Sequence, residues 1–179
     1  TQQETQGDSM YYFIVNPNSR SGRGRSIWNQ IHQQLMLQGI SFQYCLTRYS
    51  GHATQIAGDA TALGTASDPV YIIAVGGDGT IHEVLTGITD FNRVIFGYIP
   101  TGSGNDLARS LRFPQDPKKC LKKILYSQNC KQMDYGVLSN GEDAVFHRRF
   151  CVSAGIGMEA AVCHNLLFSK KTQCFCGRH

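Results

Sequence analysis

The segment VYIIAVGGDGT, residues 70–80, carries the strongest structural signal in the chain. Residues 70–75 form a short apolar run rich in β-branched side chains, which predicts a strand buried on both faces of a sheet. After the glycines, apolar side chains at positions 81, 84, 85 and 88 follow the helical period. The glycines are therefore predicted to lie in a turn that leads from a buried strand into a helix.

This first glycine turn, residues 76–80, predicts an anion site. Three glycines in four residues permit positive φ and remove the side chains that would hold a ligand away from the backbone. Successive N–H groups at a helix N-terminus, together with the helix dipole, suit phosphate. The Asp78 carboxylate would repel bare phosphate. We therefore expect it either to bind a divalent cation that lies between it and the phosphate, or to orient the turn by accepting hydrogen bonds from the turn's amides. An Asp-Gly turn without a ligand is the alternative.

A second glycine turn follows the next predicted strand, residues 94–99. It has the sequence PTGSGND, residues 100–106, and it precedes a helix with Leu107, Ala108 and Leu111 on one face. Asn105 or Asp106 is placed to cap that helix. Turns that follow adjacent parallel strands lie side by side, so we expect both glycine turns to face one crevice. Two converging glycine turns predict a nucleotide site.

Strand and helix patterns alternate through the first part of the chain. Strands are predicted at residues 11–16 and 42–46, and helices at 27–38, with Ser26 as the cap, and at 52–63. Successive β-α-β passages predict an α/β fold, a Rossmann-like parallel sheet with helices on both faces. The loop at residues 16–24, NPNSRSGRG, suits a polyphosphate, although a solvated loop is the alternative.

The pattern changes after a basic helix that opens at Pro117. Its four lysines form either a solvated face or a face that rests on anionic lipid. From Lys131 onward, residues 133–138 and 144–154 predict a β-hairpin with Asn140-Gly141 at its bend, followed by a short helix to about residue 165. We expect three parts: a tail at 1–10, an α/β domain at 11–130, and the incomplete start of a mainly β domain at 131–179.

Composition excludes several classes of protein. The chain has 179 residues, 41% of them apolar, and a net charge of +4, too weak to indicate a nucleic-acid partner. No apolar run approaches the ~20 residues of a membrane span. Seven scattered cysteines favour a reducing cytoplasm. The last segment contains Cys163, His164, Cys174, Cys176 and His179, whose spacing matches no standard zinc finger.

Four segments resemble the catalytic domain of diacylglycerol kinases and, more broadly, bacterial lipid kinases and sphingosine kinases. They are Asn16-Pro17, Thr47 with Gly51-His52-Ala53, GGDGTIHEVLTG at 76–87 and PTGSGND at 100–106. NAD kinases share GGDGT and are the enzymatic alternative. Glu83-Val84 and Asn105-Asp106 favour the lipid kinases.

The resemblance implies an ATP-dependent lipid kinase that uses Mg²⁺ and transfers the γ-phosphoryl group to a hydroxyl of diacylglycerol or a related lipid. The ATP site would lie in a cleft between the α/β domain and a β-sandwich-like second domain. Asp78 would be the catalytic residue and the magnesium ligand. The nucleotide-binding residues that carry over by position are Asn16, Pro17, Asn18, Ser19, Arg20, Thr47, Gly76, Gly77, Asp78, Gly79, Thr80, Ile81, His82, Glu83, Gly102, Ser103, Asn105 and Asp106.

The chain departs from the family in two places. Arg20-Ser21 is inserted before Gly22 relative to the usual N-P-x-S-G loop, and Arg20, Arg23 and Arg25 are candidates for neutralising phosphate charge. Relatives also continue well beyond this length, so we expect a fragment that lacks the general base. A cytoplasmic location is expected. Contact with the inner membrane surface and a homo-oligomer are left open, as is a non-catalytic nucleotide-binding or membrane-docking module.

Overall fold

The computed structural model describes residues 9–126, 130–140 and 146–151. The strands are β1 (Tyr11–Val15), β2 (Phe42–Leu46), β3 (Val70–Gly76), β4 (Val94–Pro100), β5 (Gly136–Asn140) and β6 (Phe146–Phe150). The helices are α1 (Arg23–Leu37), α2 (His52–Thr61), α3 (Asp78–Gly87), α4 (Asp106–Ser110) and α5 (Pro117–Tyr126), with a 3-10 turn at Phe91–Arg93.

The first four strands form one parallel sheet in the order β2-β1-β3-β4. Helices α1 and α5 cover one face of the sheet, where they share a core with Phe13 and Ile73. Helices α2, α3 and α4 cover the other face around Ile14 and Ile72. Because β1 and β3 are central, their side chains are buried on both faces, which explains the continuous apolar run of β3. The predicted Rossmann-like α/β fold is confirmed.

A two-stranded antiparallel sheet follows, in which β5 pairs with β6 from Gly136↔Phe150 to Asn140↔Phe146. The predicted hairpin is therefore confirmed, with Asn140 at the end of a strand. The rest of the predicted bend, the short helix before residue 165 and the cysteine–histidine cluster of the last segment lie outside the described residues. No helix in the described ranges has the length and apolar character of a membrane span.

Two helix starts differ from the prediction. Helix α1 begins at Arg23, so Ser26 lies inside it, because Gly22 at φ 91° turns the chain into the helix without a side-chain cap. Helix α3 begins at Asp78, inside the glycine segment. Gly76, Gly77 and Gly79 are absent from the positive-φ residues of the described chain, so the turn does not use the positive φ that glycine permits.

Helix α4 is also shorter than expected. It ends at Ser110, and Leu111 is 43% exposed instead of facing the core with Leu107 and Ala108. The chain leaves the helical path here because Arg112 adopts a positive φ of 53°.

Candidate functional site

The two glycine turns touch each other at the carboxyl edge of the sheet. A Cβ on Gly102 would lie 2.6 Å from the Cα of Gly77, so only glycine allows this approach. The Thr101 N–H donates to the carbonyl of Gly76 at 2.7 Å. The expected juxtaposition of the two turns is therefore found.

Side-chain hydrogen bonds join the loop after β1 to both glycine turns. The hydroxyls of Ser19 and Thr101 are buried and lie 2.7 Å apart. The amide nitrogen of Asn16 donates to the Thr80 hydroxyl at 3.2 Å, while its oxygen accepts from the Asn18 N–H at 3.0 Å. Three loops from three strands thus form one connected framework. Sequence reasoning did not place Thr101 in the site, although a hydroxyl directly before the second glycine turn was a usable signal.

Asn105 closes the second glycine turn instead of capping helix α4, which has no side-chain cap. Its side-chain oxygen accepts from the Gly102 N–H at 3.0 Å, and its nitrogen donates to the Gly102 carbonyl at 2.8 Å. The buried Tyr98 hydroxyl donates to the same Asn105 oxygen at 3.0 Å. Burial is the larger cause that raises the pKa of Tyr98, and the nearby Asp78 carboxylate raises it further. The hydroxyl therefore stays protonated and remains a donor.

Asp78 faces the second turn from the first turn of α3. Its Oδ1 accepts from the Leu107 N–H at the start of α4, at 3.5 Å. A Cβ on Gly104 would lie 3.0 Å from the other carboxylate oxygen. Asp106, which forms an ion pair with Arg109, begins the same short helix. We expected Asp78 either to bind a divalent cation or to accept amides of its own turn; the hydrogen bond found here comes instead from the Leu107 amide of α4.

A cavity of about 430 Å³, here called the first cavity, opens beside this framework. Its volume is within the usual range for small-molecule sites. Arg20 and Arg48 bring positive charge to it, and Glu83 brings a carboxylate. Its lining residues are Asn16, Asn18, Ser19, Arg20, Thr47, Arg48, Tyr49, Ser50, Ala53, Gly77, Gly79, Thr80, Glu83 and Gly102.

A second cavity of about 230 Å³ lies on the other side of Gly79, which lines both. Its residues are Asp78, Gly79, Ile81, His82, Leu85, Asp106, Leu107, Phe150 and Cys151. Four residues expected at the nucleotide, Asp78, Ile81, His82 and Asp106, therefore line this second cavity and not the first. Burial is the larger cause that lowers the pKa of His82, and the positive charge of Arg148 lowers it further. Both effects favour the neutral imidazole at pH 7.

The other candidate residues line neither of these two cavities. Pro17 and Gly76 are buried within the framework, Ser103 is exposed, and Asn105 acts through Gly102. Arg23 and Arg25 are exposed on α1, so Arg20 is the member of the predicted arginine group that reaches the first cavity. Sequence reasoning missed Tyr49 and Ser50, whose position just after β2, at the carboxyl edge, was the available signal. Ala53 belongs to the Gly51-His52-Ala53 segment that carries the resemblance, but it was not assigned to the site.

Glu83 links two helices at the edge of the first cavity. Its Oε2 accepts from the Ala53 N–H at 3.2 Å, and the Thr54 hydroxyl donates to the Glu83 carbonyl at 3.0 Å. Gly51, the residue before α2, provides no side-chain cap. The carboxylate of Glu83 therefore serves as the cap of α2 from a neighbouring helix.

Arg149 of β6 attaches the hairpin to the end of α3. Its guanidinium donates to the carbonyl of Leu85 at 2.8 Å and also to the carbonyl of Ile88. The same group lies 5.0 Å from the ring centroid of Phe91 and 5.5 Å from that of Tyr135, two rings that stack on each other. This contact brings the end of β6 to the second cavity.

Residues 10–138 match the family described as the diacylglycerol kinase catalytic domain. The chain is 41% identical to a diacylglycerol kinase of Bacillus subtilis (strain 168) over 107 residues, 58% of this chain and 33% of that protein. It is 38% identical to a diacylglycerol kinase of Staphylococcus carnosus (strain TM300) over 131 residues, 71% of this chain and 40% of that protein.

A solved structure is similar as well. The crystal structure of a diacylglycerol kinase from Bacillus anthracis str. Sterne superposes with a TM-score of 0.59 and 26% identity, covering 74% of this chain and 44% of that one. The chain spans about a third to two fifths of the length of the curated relatives it matches. Because the family match extends over all four strands of the parallel sheet and both glycine turns, the chain belongs to the diacylglycerol kinase catalytic domain family.

Proposed function

We propose that this chain supplies the nucleotide half of an ATP-dependent lipid kinase. The observation that carries the proposal is the contact between Gly77 and Gly102, which aligns two glycine turns beside the first cavity. Phosphoryl transfer depends on positioning and charge stabilisation more than on covalent chemistry. A rigid backbone framework with arginines beside it supports this reaction class.

In this proposal the ATP phosphates lie in the first cavity. The N–H groups at the start of α3 would donate to phosphate oxygens, and Arg20 and Arg48 would offset their charge. Asn16 and Thr80, already bonded to each other, would border the phosphates, and Thr47 would contact the nucleotide from the end of β2.

Asp78 is the proposed magnesium ligand. Within residues 9–126, 130–140 and 146–151, no cluster of three His, Cys, Asp or Glu side chains suits a metal ion. Asp78 and Asp106 nevertheless line one cavity, and Mg²⁺ commonly takes one or two carboxylates together with substrate phosphates. Asp78 and Asp106 are therefore suited to hold Mg²⁺ that arrives with the nucleotide, and the ion would supply neutralisation of phosphate charge.

The acceptor hydroxyl, from diacylglycerol or a related lipid, would enter by the second cavity. Ile81, Leu85, Leu107 and Phe150 give this cavity a largely apolar lining next to Asp78. Because Gly79 lines both cavities, nucleotide and acceptor would meet across a residue without a side chain.

Calorimetric titration with ATP, with and without Mg²⁺, tests the nucleotide site. We expect weak, saturable binding that Mg²⁺ strengthens. Asp78→Asn should remove the Mg²⁺ effect, whereas Asp59→Asn, an exposed acid on α2, should leave it unchanged. Transfer of the labelled γ-phosphoryl group of ATP, with release of ADP, to diacylglycerol in mixed micelles or to NAD separates a lipid kinase from a NAD kinase. The absence of saturable binding at millimolar ATP would contradict the nucleotide site.

A further inference from the structure

Tyr49 brings an aromatic ring to the first cavity from the loop between β2 and α2. The ends of β2, β1 and β3 are level, since Leu46 and Val75 both pair with Val15. Because β1 lies between the other two strands, the ends of β2 and β3 are about 10 Å apart, twice the usual strand spacing. A nucleotide with its phosphates at the first glycine turn can span this distance with its ribose and base.

The ring of Tyr49 is held in place although it is 56% exposed. The imidazole of His52 stacks on it, with ring centroids 4.6 Å apart and an angle of 21° between the planes. The Tyr49 hydroxyl donates to the side-chain oxygen of Gln55 at 2.8 Å, and the Arg48 N–H donates to the Nδ1 of His52 at 3.1 Å. His52 does not line the first cavity, so it supports the ring from behind and leaves the other face for a ligand.

The start of α2, which supplies this support, is fixed relative to α3. The Ala53 N–H donates to the Glu83 carboxylate, and the Thr54 hydroxyl donates to the Glu83 carbonyl. A Cβ on Gly87 would lie 2.1 Å from the Thr54 carbonyl oxygen, so the two helices are in backbone contact. Helix α3 begins inside the first glycine turn. Packing, and not a free loop, therefore sets the position of the ring relative to that turn.

We propose that Tyr49, backed by His52, is the surface on which a purine base stacks, so that this chain takes ATP and GTP alike. The inference rests on the proposed nucleotide site and adds its base specificity. Stacking uses the π-face that every base has, and the two fused rings of a purine offer more contact than the single ring of a pyrimidine. The site therefore selects purines by ring size.

The polar groups next to Tyr49 in the chain are poorly placed to distinguish adenine from guanine. The N–H groups of Arg48 and Ala53 already donate to side chains of the protein. The Ser50 hydroxyl, which also lines the first cavity, can both donate and accept, so it suits either base. In the proposed site the Arg48 guanidinium offsets phosphate charge. Strong discrimination needs a fixed donor or acceptor that the wrong base leaves unpaired.

Calorimetric titration of the full 179-residue chain in the presence of Mg²⁺ tests this specificity. The probes are ATP, GTP, CTP and inorganic tripolyphosphate, which carries phosphates without a base. We expect the dissociation constants of ATP and GTP to agree within about threefold, and that of CTP to be about fivefold higher or more. A GTP affinity more than about tenfold below that of ATP would indicate a base edge read by hydrogen bonds and would overturn the proposal.

Tyr49→Ala removes the ring. It should lower the affinity for ATP and GTP about 5- to 100-fold, the usual effect of losing one base–aromatic stack, and leave tripolyphosphate binding unchanged. Tyr49→Phe keeps the ring and should keep most of the affinity. The matched control is Tyr126→Ala. Tyr126 is 55% exposed on α5, its hydroxyl also donates to a glutamine, and it does not line the first cavity. This control should bind ATP like the parent protein. Circular dichroism verifies that each variant is folded.

The outcomes separate this inference from the proposed function. If the parent protein binds neither ATP nor tripolyphosphate at millimolar concentration, the nucleotide site itself is contradicted. If the parent protein binds ATP and Tyr49→Ala binds it equally well, only the stacking role of Tyr49 is contradicted. Equal losses for ATP and tripolyphosphate in Tyr49→Ala would show that the side chain shapes the loop without stacking on a base, and they would also overturn the inference.

Discussion

Glycines of the two turns are required for two different physical reasons. Gly77 and Gly102 allow two backbones to touch, since a Cβ on either residue would lie 3.1 Å or less from the Cα of the other. Gly79 meets nothing within 4 Å of its missing Cβ, and it lines both cavities. The first pair therefore serves the framework, whereas Gly79 keeps space open for ligands.

These two roles predict opposite effects of alanine. Gly102→Ala should destabilise the protein by about 1–3 kcal/mol, because the added methyl group must push the two turns apart. Gly79→Ala should keep or raise stability, by up to about 1 kcal/mol, since alanine favours the helix that begins at Asp78. It should nevertheless weaken ATP binding. Urea denaturation and calorimetry with ATP measure the two effects separately.

A Gly79→Ala variant that binds ATP as well as the parent would show that the ligand does not approach this backbone. A Gly102→Ala variant of unchanged stability would mean that the two turns separate without cost.

At the scale of elements, α2 and α3 depend on each other at the rim of the first cavity. Helix α2 begins after Gly51, whose φ of 86° sets the turn but offers no side chain for the first amides. Glu83, one turn into α3, accepts from the Ala53 N–H instead. A carboxylate near a helix N-terminus is also favoured by the helix dipole. Both helices bring residues to the cavity, so their mutual contact helps to fix its shape.

Glu83→Ala should therefore lower the free energy of unfolding by about 1 kcal/mol, the usual cost of a lost N-terminal cap. Glu83→Gln keeps an oxygen acceptor for the Ala53 amide and should recover most of that loss. Thermal and urea denaturation compare the variants. If both variants equal the parent protein in stability, the Glu83–Ala53 contact contributes nothing to folding.

At the scale of the whole molecule, Arg149 joins the hairpin to the parallel-sheet unit. The Arg149 guanidinium donates to carbonyls at the end of α3, where the helix dipole is negative. The backbone N–H of Arg149 donates to the Thr86 hydroxyl at 3.2 Å. Phe150 and Cys151 follow it directly and line the second cavity. The contacts of Arg149 therefore help to position these two residues.

Arg149→Met should loosen the hairpin. The substitution removes the charged hydrogen bonds, which are typically worth about 1.5–3 kcal/mol each, and leaves the Leu85 and Ile88 carbonyls without this donor. Hydrogen exchange should accelerate in β5 and β6, while β1 and β3 stay protected. Arg149→Lys, which can reach one carbonyl at a time, should give an intermediate rate. Unchanged exchange in the Met variant would contradict the attachment.

Local sequence patterns determined the parallel sheet, its buried central strands and the adjacency of the two glycine turns. The strand and helix periods appear as local patterns of apolar residues along the chain. In a parallel sheet, the turns that follow neighbouring strands then lie at the same edge. The basic side of α5 could also be predicted from the sequence, because helical spacing places Lys119 and Lys123 on a different side of the helix from Leu121 and Leu125.

Only the tertiary structure decided which candidate residues line the first cavity and which line the second. Asp78 and Thr80 are two positions apart, yet they line different cavities, because a helix that starts at Asp78 turns successive side chains in different directions. The Ser19–Thr101 and Glu83–Ala53 contacts join residues far apart in sequence, and no local pattern encodes such pairs. The sequence therefore determined which residue types reach the carboxyl edge, and packing determined which of them face each other.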